Sequence, residues 1–327
     1  MRYVIYGAGA VGGVIGAKLF MHGREVVLIA RGEHLRAIQA NGLRLQHPQG
    51  EVLLPVPAVG RPSEIEFHAG DVVFLTMKAQ DTNAALTDLL AAAGDQVPVV
   101  CCQNGVDNER MALRLFEDVY GVCVFLPAGY LEPGLVDATV WPVSGALDVG
   151  RCPEGVDALA EAIAGDLTGA GFISRPEPKI LRLKYGKLLH NVQNVVQAVC
   201  GRGVPVPDLA ARLQSEAEAC FAAAGMDYAG TEEMSRRSAD IDRFLANRSG
   251  NSTWQSLARG AGSIEVDYLN GEIVLLGRLH NVPTPANAAF QRLANEMARQ
   301  RREPGSVSVE EMRRAVAARE AIHTAGG

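Results

Sequence analysis

The stretch Arg2-Tyr3-Val4-Ile5-Tyr6-Gly7-Ala8-Gly9-Ala10-Val11-Gly12 decides the fold of this chain. Its first residues form a short apolar run, and the following six match the pattern G-x-G-x-x-G. Apolar residues at helical spacing continue to Gly23, and residues 26–30 are a second apolar run. This order of strand, glycine-rich turn, helix and strand is typical of a doubly wound α/β sheet that binds a dinucleotide.

Each glycine of the turn has its own physical role. Gly7 permits the tight bend, Gly9 lets the backbone approach a pyrophosphate, and Gly12 lets the helix pack closely on the strand. The amide groups at the helix N-terminus then point at the phosphates, where partial positive charge accumulates. The predicted cofactor-binding residues of this turn are Gly7, Ala8, Gly9, Ala10, Val11 and Gly12.

Arg31 indicates which dinucleotide is bound. Sites for NAD usually have an acidic residue about 20 residues past the turn, which hydrogen-bonds a ribose hydroxyl. Here that place holds Arg31, with Glu33 and Arg36 farther on. A guanidinium suits a phosphate and offers nothing comparable to a bare ribose diol. The sequence therefore predicts NADP(H), and the alternative interpretation of Arg31 is a solvated loop arginine.

Composition limits the class of protein. With 327 residues and 48% hydrophobic content, two domains are expected. The net charge of -6 argues against a nucleic-acid surface, and no apolar run approaches the roughly 20 residues of a membrane span. The six cysteines form no C-x-x-C pair, and no histidines have zinc-site spacing. We therefore expect a cytoplasmic protein with reduced thiols and no metal site.

Three further apolar runs, at residues 71–77, 97–103 and 122–126, predict parallel strands. Lys78, Asn104 and Ala128 lie at or just after their ends. Ligands of a doubly wound sheet bind outside the carboxyl ends of its strands, so these residues should meet the glycine turn at one edge. The alternative interpretation is a loop lysine and a turn asparagine, because Asn-Gly is a common turn pair.

The rest of the chain divides at the prolines of residues 175–178, which can continue neither a helix nor a central strand. Before them, a hairpin is predicted within 43–56, an antiparallel pair within 135–149 and a helix over 156–167. The predicted domains are 1–177, a Rossmann-type doubly wound sheet that binds NADP, and 178–327, an all-α domain with an extension from about 302.

The helical part begins with one predicted helix over 180–199. Lys187, Asn191 and Asn194 fall within roughly 60° of arc on its polar side. A lysine with two asparagines along one stripe is a candidate substrate face, and the alternative is a polar surface. Further helices are predicted over 209–224, 231–246, 263–280 and 287–301, and a last one after a capping box at 308–311.

Over residues 1 to about 298 the chain resembles the ketopantoate reductases (2-dehydropantoate 2-reductases). The resemblance is carried by Gly7-Ala8-Gly9-Ala10-Val11-Gly12, Ala30-Arg31-Gly32-Glu33-His34-Leu35, Met77-Lys78-Ala79, Gln103-Asn104-Gly105, Lys187-Leu188-Leu189 with Asn191, and Glu265-Val266-Asp267-Tyr268-Leu269-Asn270-Gly271. It implies an N-terminal Rossmann domain and a C-terminal helical domain. It also implies reduction of ketopantoate to pantoate by NADPH, on the pathway to pantothenate and coenzyme A.

The resemblance further implies roles for single residues. Lys187 matches the proton donor, Asn191 a substrate-holding asparagine, and Ser252 a serine that binds the substrate carboxylate. Asn104 matches a position near both substrate and cofactor. The remaining matches, which line the cofactor, are Lys78, Ala128 and Glu265.

Three departures from the family pattern lie on the substrate side. Val195 stands where the family usually has a second asparagine, segment 200–205 differs, and the spacing from Gln255 to Glu265 is longer. A reductase of a different 2-oxo acid is therefore the first alternative function. A protein that senses NADPH without catalysis is the second. The expected partner is a small 2-oxo acid, and a homodimer through the helical domain stays open.

Overall fold

The computed structural model describes residues 1–242, 251–260 and 262–325. The chain divides into two compact units, one of Met1–Lys184 with Thr231–Ala246 and the other of Tyr185–Gly230 with Asn247–Gly327. The predicted fold class is confirmed, because a mainly parallel sheet forms the first unit and helices form the second. The predicted domains 1–177 and 178–327 stay a prediction. Residues 243–246 of a predicted helix lie outside the described residues.

The strands are β1 (Arg2–Tyr6), β2 (Glu25–Ile29), β3 (Leu43–His47), β4 (Gly50–Leu54), β5 (Ala58–Val59), β6 (Asp71–Leu75), β7 (Val99–Cys101), β8 (Val119–Phe125), β9 (Ala128–Glu132), β10 (Leu135–Ala138) and β11 (Ala146–Arg151). The α-helices are α1 (Ala10–Met21), α2 (Gly32–Asn41), α3 (Thr82–Ala93), α4 (Asp107–Ala112), α5 (Ala158–Gly169), α6 (Ile180–Asn191), α7 (Asn194–Cys200), α8 (Pro207–Ala223), α9 (Thr231–Asp242), α10 (Ser252–Ala258), α11 (Asn270–His280), α12 (Pro285–Arg299) and α13 (Val309–Ala325).

The main sheet has seven strands in the order β11-β8-β7-β6-β1-β2-β5. All neighbours from β8 to β5 are parallel, and β11 runs antiparallel to β8. Strand β6 is buried at every residue, as expected for a parallel strand covered on both faces. The predicted parallel strands are thus confirmed, and their carboxyl ends lie at one edge.

A second sheet of four strands has the order β4-β3-β10-β9. The predicted hairpin is confirmed as its antiparallel pair β3 and β4. The predicted antiparallel pair within 135–149 is wrong, because β10 joins β3 and β9 whereas β11 pairs with β8 in the main sheet. Both strands have the expected apolar pattern, but pairing depends on residues distant in sequence, which a local pattern does not contain.

Helix α1 contacts both sheets, and its glycines allow this close packing. A Cβ atom added at Gly16 would lie 2.7 Å from Cδ2 of Leu28 in the main sheet. A Cβ atom added at Gly13 would lie 2.7 Å from Cγ1 of Val136 in the second sheet. Apart from Lys18, the residues of this helix are all apolar or glycine, as is typical of a helix that is covered on more than one side.

Helix α9 returns to the first unit although it follows helices of the second. Arg237 on α9 makes ion pairs with Asp148 at 2.5 Å and with Glu177 at 2.6 Å. Glu233 on the same helix pairs with Arg182 at 2.8 Å. These partners come from β11 and from the segment around α6, so side-chain charge ties α9 to the first unit.

The predicted single helix over 180–199 is wrong, because α6 ends at Asn191 and α7 begins at Asn194. The C-terminal extension packs against this second unit: Gly305 N–H donates to the carbonyl of Ala198 at 2.9 Å. The predicted cap of the last helix is confirmed, since Glu311 N–H donates to Ser308 Oγ at 3.2 Å. Within the described ranges, no helix is long and apolar enough to cross a bilayer.

A buried ion pair lies beneath the end of β7. Lys184 Nζ is 2.6 Å from Glu109 Oε1, and both side chains are nearly inaccessible. Nζ also donates to the carbonyls of Gln103 at 2.9 Å and Val122 at 3.3 Å. Burial opposes the ammonium, but the attraction of Glu109 outweighs it and raises the pKa of Lys184.

Replacing Lys184 by methionine should destabilise the first unit by about 3–5 kcal/mol, because Glu109 would remain as a buried charge without its partner. The double variant Lys184→Met with Glu109→Leu should recover most of that loss, since no charge is then buried alone. Urea denaturation followed by circular dichroism measures both variants. Equal stability of the single variant and the wild type would contradict this account of the pair.

Candidate active site

The structure brings the predicted residues of the first unit to one edge of the main sheet. The glycine turn follows β1, Arg31 follows β2, Lys78 follows β6 and Asn104 follows β7, and these four strands are parallel neighbours. Ala128 lies beyond β8, at the start of β9. The topology thus places these residues where a doubly wound sheet binds its ligands, and their individual roles stay predictions.

The glycine turn has the geometry that its pattern predicts. Gly7 has φ +108°, a conformation that L-residues rarely adopt, and a Cβ atom there would lie 2.7 Å from the Met77 nitrogen. At Gly12 a Cβ atom would lie 2.3 Å from Thr76 Oγ1. At Gly9, by contrast, an added Cβ atom would meet nothing within 4 Å. Gly7 and Gly12 therefore serve the fold, and Gly9 leaves an open space beside the turn.

The N-terminus of α1 fits a phosphate. Its cap residue Gly9 has no side chain that could bond to the first amide groups, and the first turn contains no acidic residue. The first amide groups of an α-helix have no partner within the helix, and the helix dipole adds partial positive charge there. The open space at Gly9 lies at this end of the helix, so the turn can hold a pyrophosphate.

Arg31 stands at the edge of this region, and its side chain is 68% exposed. Its nearest acidic group is the Asp81 carboxylate at 4.0 Å, itself 46% exposed, so the pairing is weak. The guanidinium of Arg36 is engaged instead by Glu33, one turn away on α2. That pair is just as exposed, so the place of Arg31 directly after β2, and not the strength of its ion pair, makes it the better candidate to bind a phosphate.

A buried network that the sequence did not reveal joins the loops after β6 and β7. Gln103 Nε2 donates to the carbonyl of Met77 at 3.0 Å and to Thr82 Oγ1 at 2.7 Å. The Thr82 hydroxyl donates to Asn108 Oδ1 at 2.9 Å, and Asn108 Nδ2 donates to the carbonyl of Asn104 at 3.0 Å. The two loops that carry Lys78 and Asn104 are thereby held together.

His34 supports the glycine turn from the other side. Gly134 N–H donates to His34 Nδ1 at 2.9 Å, so the ring must donate from Nε2 to the Ala8 carbonyl, 2.6 Å away. Burial lowers the pKa of His34, which favours this neutral form. The residue lies in the Arg31-to-Leu35 motif, but only its contact with Ala8 identifies it as a support of the turn.

In the second unit, Lys187 and Asn191 lie one turn apart on α6. Lys187 is half-buried and Asn191 is 9% exposed. Asn191 Oδ1 is inaccessible to solvent and has no hydrogen-bond partner in the described chain. Leaving a buried amide oxygen without a donor costs about 1–3 kcal/mol, so this atom is a candidate acceptor for a donor that the described residues do not supply.

Ser252 is the first residue of α10, and the preceding Asn251 fixes this helix. Asn251 Oδ1 accepts from Trp254 N–H at 3.0 Å, and Asn251 Nδ2 donates to the carbonyl of Asn194 at 2.9 Å. Asn194 thus acts through its backbone at the start of α7. The break between α6 and α7 removes it from the predicted stripe with Lys187 and Asn191.

The remaining predicted residues of this unit have different surroundings. Glu265 is 8% exposed and begins the 3₁₀ turn Glu265–Tyr268, just before α11. Val195, which stands where an asparagine was expected, is 1% exposed and lies on α7. Among residues 1–242, 251–260 and 262–325, no group of three or more histidine, cysteine, aspartate or glutamate residues could hold a metal ion.

Comparison with known proteins agrees with this architecture. The family model described as ketopantoate reductase PanE/ApbA matches residues 3–154, and that of its C-terminal domain matches residues 180–298. A 2-dehydropantoate 2-reductase of Mesorhizobium japonicum is 30% identical, over 92% of this chain and 99% of the relative. Another from Archaeoglobus fulgidus is also 30% identical, over 89% of this chain and 96% of the relative.

Solved structures share the fold over most of the chain. One is the crystal structure of a PanE/ApbA family ketopantoate reductase from Ralstonia eutropha, with a TM-score of 0.78 and 28% sequence identity. The match covers 93% of this chain and 100% of that chain. A D-mandelate dehydrogenase with NADH and anilino(oxo)acetate has a TM-score of 0.81 and 24% identity, over 92% and 99% of the two chains.

The similarity to D-mandelate dehydrogenase concerns the fold alone. The two family models and the two 2-dehydropantoate 2-reductase relatives cover both predicted domains of the chain. The predicted resemblance is confirmed. The chain belongs to the ketopantoate reductase PanE/ApbA family and is an oxidoreductase that uses a nicotinamide dinucleotide.

Proposed function

We propose that this protein reduces ketopantoate to pantoate with NADPH, on the pathway to pantothenate and coenzyme A. The family and its 2-dehydropantoate 2-reductase relatives support the reaction. The observation that carries the proposal is the buried, unpartnered Oδ1 of Asn191, one turn after Lys187 on α6. Ketopantoate has a hydroxyl group that can donate a hydrogen bond to this oxygen. Simpler branched 2-oxo acids lack that hydroxyl group.

The residues of the chain have distinct tasks in this reaction. When bound, NADPH supplies the hydride for the carbonyl carbon of the 2-oxo acid. Lys187 stabilises the negative charge that develops on the carbonyl oxygen and donates the proton that completes the hydroxyl group. Asn191 and Asn104 orient the substrate without adding charge, and Ser252 hydrogen-bonds its carboxylate.

The cofactor is assigned to the edge of the main sheet. Residues Gly7 to Gly12 hold the pyrophosphate at the N-terminus of α1, and Arg31 binds the 2′-phosphate that distinguishes NADPH from NADH. Lys78, Asn104, Ala128 and Glu265 line the remainder of the cofactor. A cytoplasmic location and association into a homodimer stay predictions from the sequence.

The first test of this function compares substrates. The wild type should reduce ketopantoate with a kcat/KM at least about 100-fold higher than that for 3-methyl-2-oxobutanoate, because the analogue leaves the Asn191 oxygen unpaired. Steady-state assays with NADPH measure this ratio, and benzoylformate serves as a bulkier acid. Faster turnover of benzoylformate than of ketopantoate would favour the alternative of a different 2-oxo acid, which the buried Val195 suggests.

Replacing Lys187 by alanine should lower kcat by about 100-fold or more, because the proton donor is lost. Binding of NADPH, measured by its fluorescence, should not change. Lys179→Ala is the matched control, since Lys179 is exposed and precedes α6. Full turnover by Lys187→Ala would remove the mechanism, and a wild type that binds NADPH but reduces no 2-oxo acid would favour the sensor.

Replacing Arg31 by aspartate should weaken NADPH binding about 10-fold or more, because a hydrogen bond to a charged group contributes about 1.5–3 kcal/mol. Binding of NADH should improve, since an aspartate can accept hydrogen bonds from the ribose hydroxyls. Isothermal titration calorimetry with both dinucleotides measures the change. Arg36→Ala is the control, because Arg36 is paired with Glu33, and an unchanged preference in Arg31→Asp would show Arg31 to be a bystander.

Replacing Gly9 by alanine should weaken NADPH binding several-fold and lower the melting temperature only slightly, because alanine is a poorer helix N-cap than glycine. Gly9 has φ -74° and ψ -152°, which alanine can adopt, and the added Cβ atom would meet no atom of the protein. It would occupy the space assigned to the pyrophosphate. Gly165→Ala is the matched control, because Gly165 on α5 is equally open and far from the turn in sequence. Normal affinity in Gly9→Ala would contradict the assignment.

A further inference from the structure

At the break between α6 and α7, the backbone carbonyl of Val192 loses its helical partner. Val192 N–H still completes α6 by donating to the Leu188 carbonyl at 2.9 Å. Val196 N–H, which in a continuous helix would bond to the Val192 carbonyl, donates instead to Gln193 at 3.1 Å. The Val192 carbonyl is therefore released at the break, directly after Asn191, and needs another donor.

Asn270 supplies that donor. Its Nδ2 lies 2.9 Å from the Val192 carbonyl oxygen and 3.0 Å from Oδ1 of Asn287, so both amide hydrogens are used. Asn270 is the first residue of α11 and is 1% exposed. A side chain so enclosed, with one hydrogen bond for each N–H, has a single orientation.

Asn287 and Glu216 hold Asn270 in that orientation. Asn287 is fully buried on α12, and its Nδ2 donates to the carbonyl of Leu213 at 3.1 Å and to Glu216 Oε2 at 2.8 Å. Glu216 Oε1 and Oε2 also accept from the N–H groups of Ala286 and Asn287 at 2.8 and 2.9 Å. The carboxylate thus caps α12, where the helix dipole favours negative charge.

This network lies beside two of the predicted substrate contacts of the second unit, Asn191 and Ser252. Asn191 immediately precedes the carbonyl that Asn270 binds. On the other side of the break, the Asn194 carbonyl accepts from Asn251, the cap of the helix that Ser252 begins. If α6 and α7 joined into one helix, Val196 N–H would reclaim the Val192 carbonyl. Asn194 would then turn away from Asn251.

We propose that Asn270 is a positioning residue for the 2-oxo acid, which keeps α6 and α7 apart and so orients Asn191 and Ser252. This inference rests on the proposed function for its substrate. Asn270 does not touch the reacting atoms in this proposal, and its effect passes through the Val192 carbonyl. The network of Asn287 and Glu216 serves the same end by fixing the Asn270 amide.

The test is Asn270→Ala, with Asn295→Ala as the matched control. Asn295 also donates from Nδ2, but to Asp267 at 2.6 Å, and it is half-buried on α12. Asn270→Ala should lower kcat/KM for the best 2-oxo acid on the order of tenfold or more, because the catalytic geometry is displaced. The KM for NADPH should stay at the wild-type value. In Asn295→Ala, both the kcat/KM for the 2-oxo acid and the KM for NADPH should equal those of the wild type.

A milder variant and a second measurement keep the test decisive. Asn270→Ser retains one donor and should show a smaller loss in the same direction, even where alanine impairs folding. Amide hydrogen exchange over residues 192–200 should be faster in both Asn270 variants than in Asn295→Ala, because the hydrogen bond from Asn270 to the Val192 carbonyl is lost or weakened. This measurement needs no turnover, so it decides the inference even if the wild type reduces none of the acids tried.

Unchanged exchange over 192–200 together with an unchanged kcat/KM would overturn the proposal. An equal fall in the affinities for NADPH and for the 2-oxo acid would also overturn it, because that result indicates general loss of structure. Failure of the wild type to reduce any 2-oxo acid would instead reject the proposed function, which separates the two outcomes.

Discussion

The close packing of α1 between two sheets is the constraint on which the first unit depends. Leu28 of the main sheet packs against Gly16, and Val136 of the second sheet packs against Gly13. A Cβ atom at either glycine would lie too close to the side chain packed there. Gly12 packs in the same way near Thr76, in the first turn of the helix. Because side chains cannot fit at these points, the helix axis and its N-terminal amides have little freedom. The same packing therefore builds the core and fixes the N-terminus of α1, where we propose that the pyrophosphate binds.

The one lysine of α1, Lys18, is also buried. Lys18 is 4% exposed, and its Nζ donates to the Pro142 carbonyl at 2.6 Å and to Ser144 Oγ at 2.8 Å. The ring of Trp141 lies 4.5 Å from the same nitrogen. Burial lowers the pKa of Lys18 to about 8, so acceptors and an aromatic face together stabilise a charge that is costly to bury.

The second unit solves a different problem, which is to hold polar groups inside a bundle of helices. Asn270, Asn287 and Glu216 form one connected network whose amide hydrogens and carboxylate oxygens find partners. Asn191 Oδ1, close by in sequence, has none within the described residues. A buried amide oxygen that accepts no hydrogen bond from the described residues is consistent with a ligand that supplies the missing donor. Fold and proposed site thus use the same kind of interaction.

The sequence by itself determined the local features: the strand, turn and helix around Gly7 to Gly12, the arginine at position 31, and the lysine and asparagine one turn apart at 187 and 191. These follow from periodicity and backbone conformation, which depend on near neighbours. The tertiary structure alone decided that β10 and β11 join different sheets, that α9 returns to the first unit, and that α6 ends at Asn191. It alone identified Gln103 and Asn270 as supports. Each of these depends on a partner far along the chain, such as Val192 for Asn270, and no local pattern encodes such a partner.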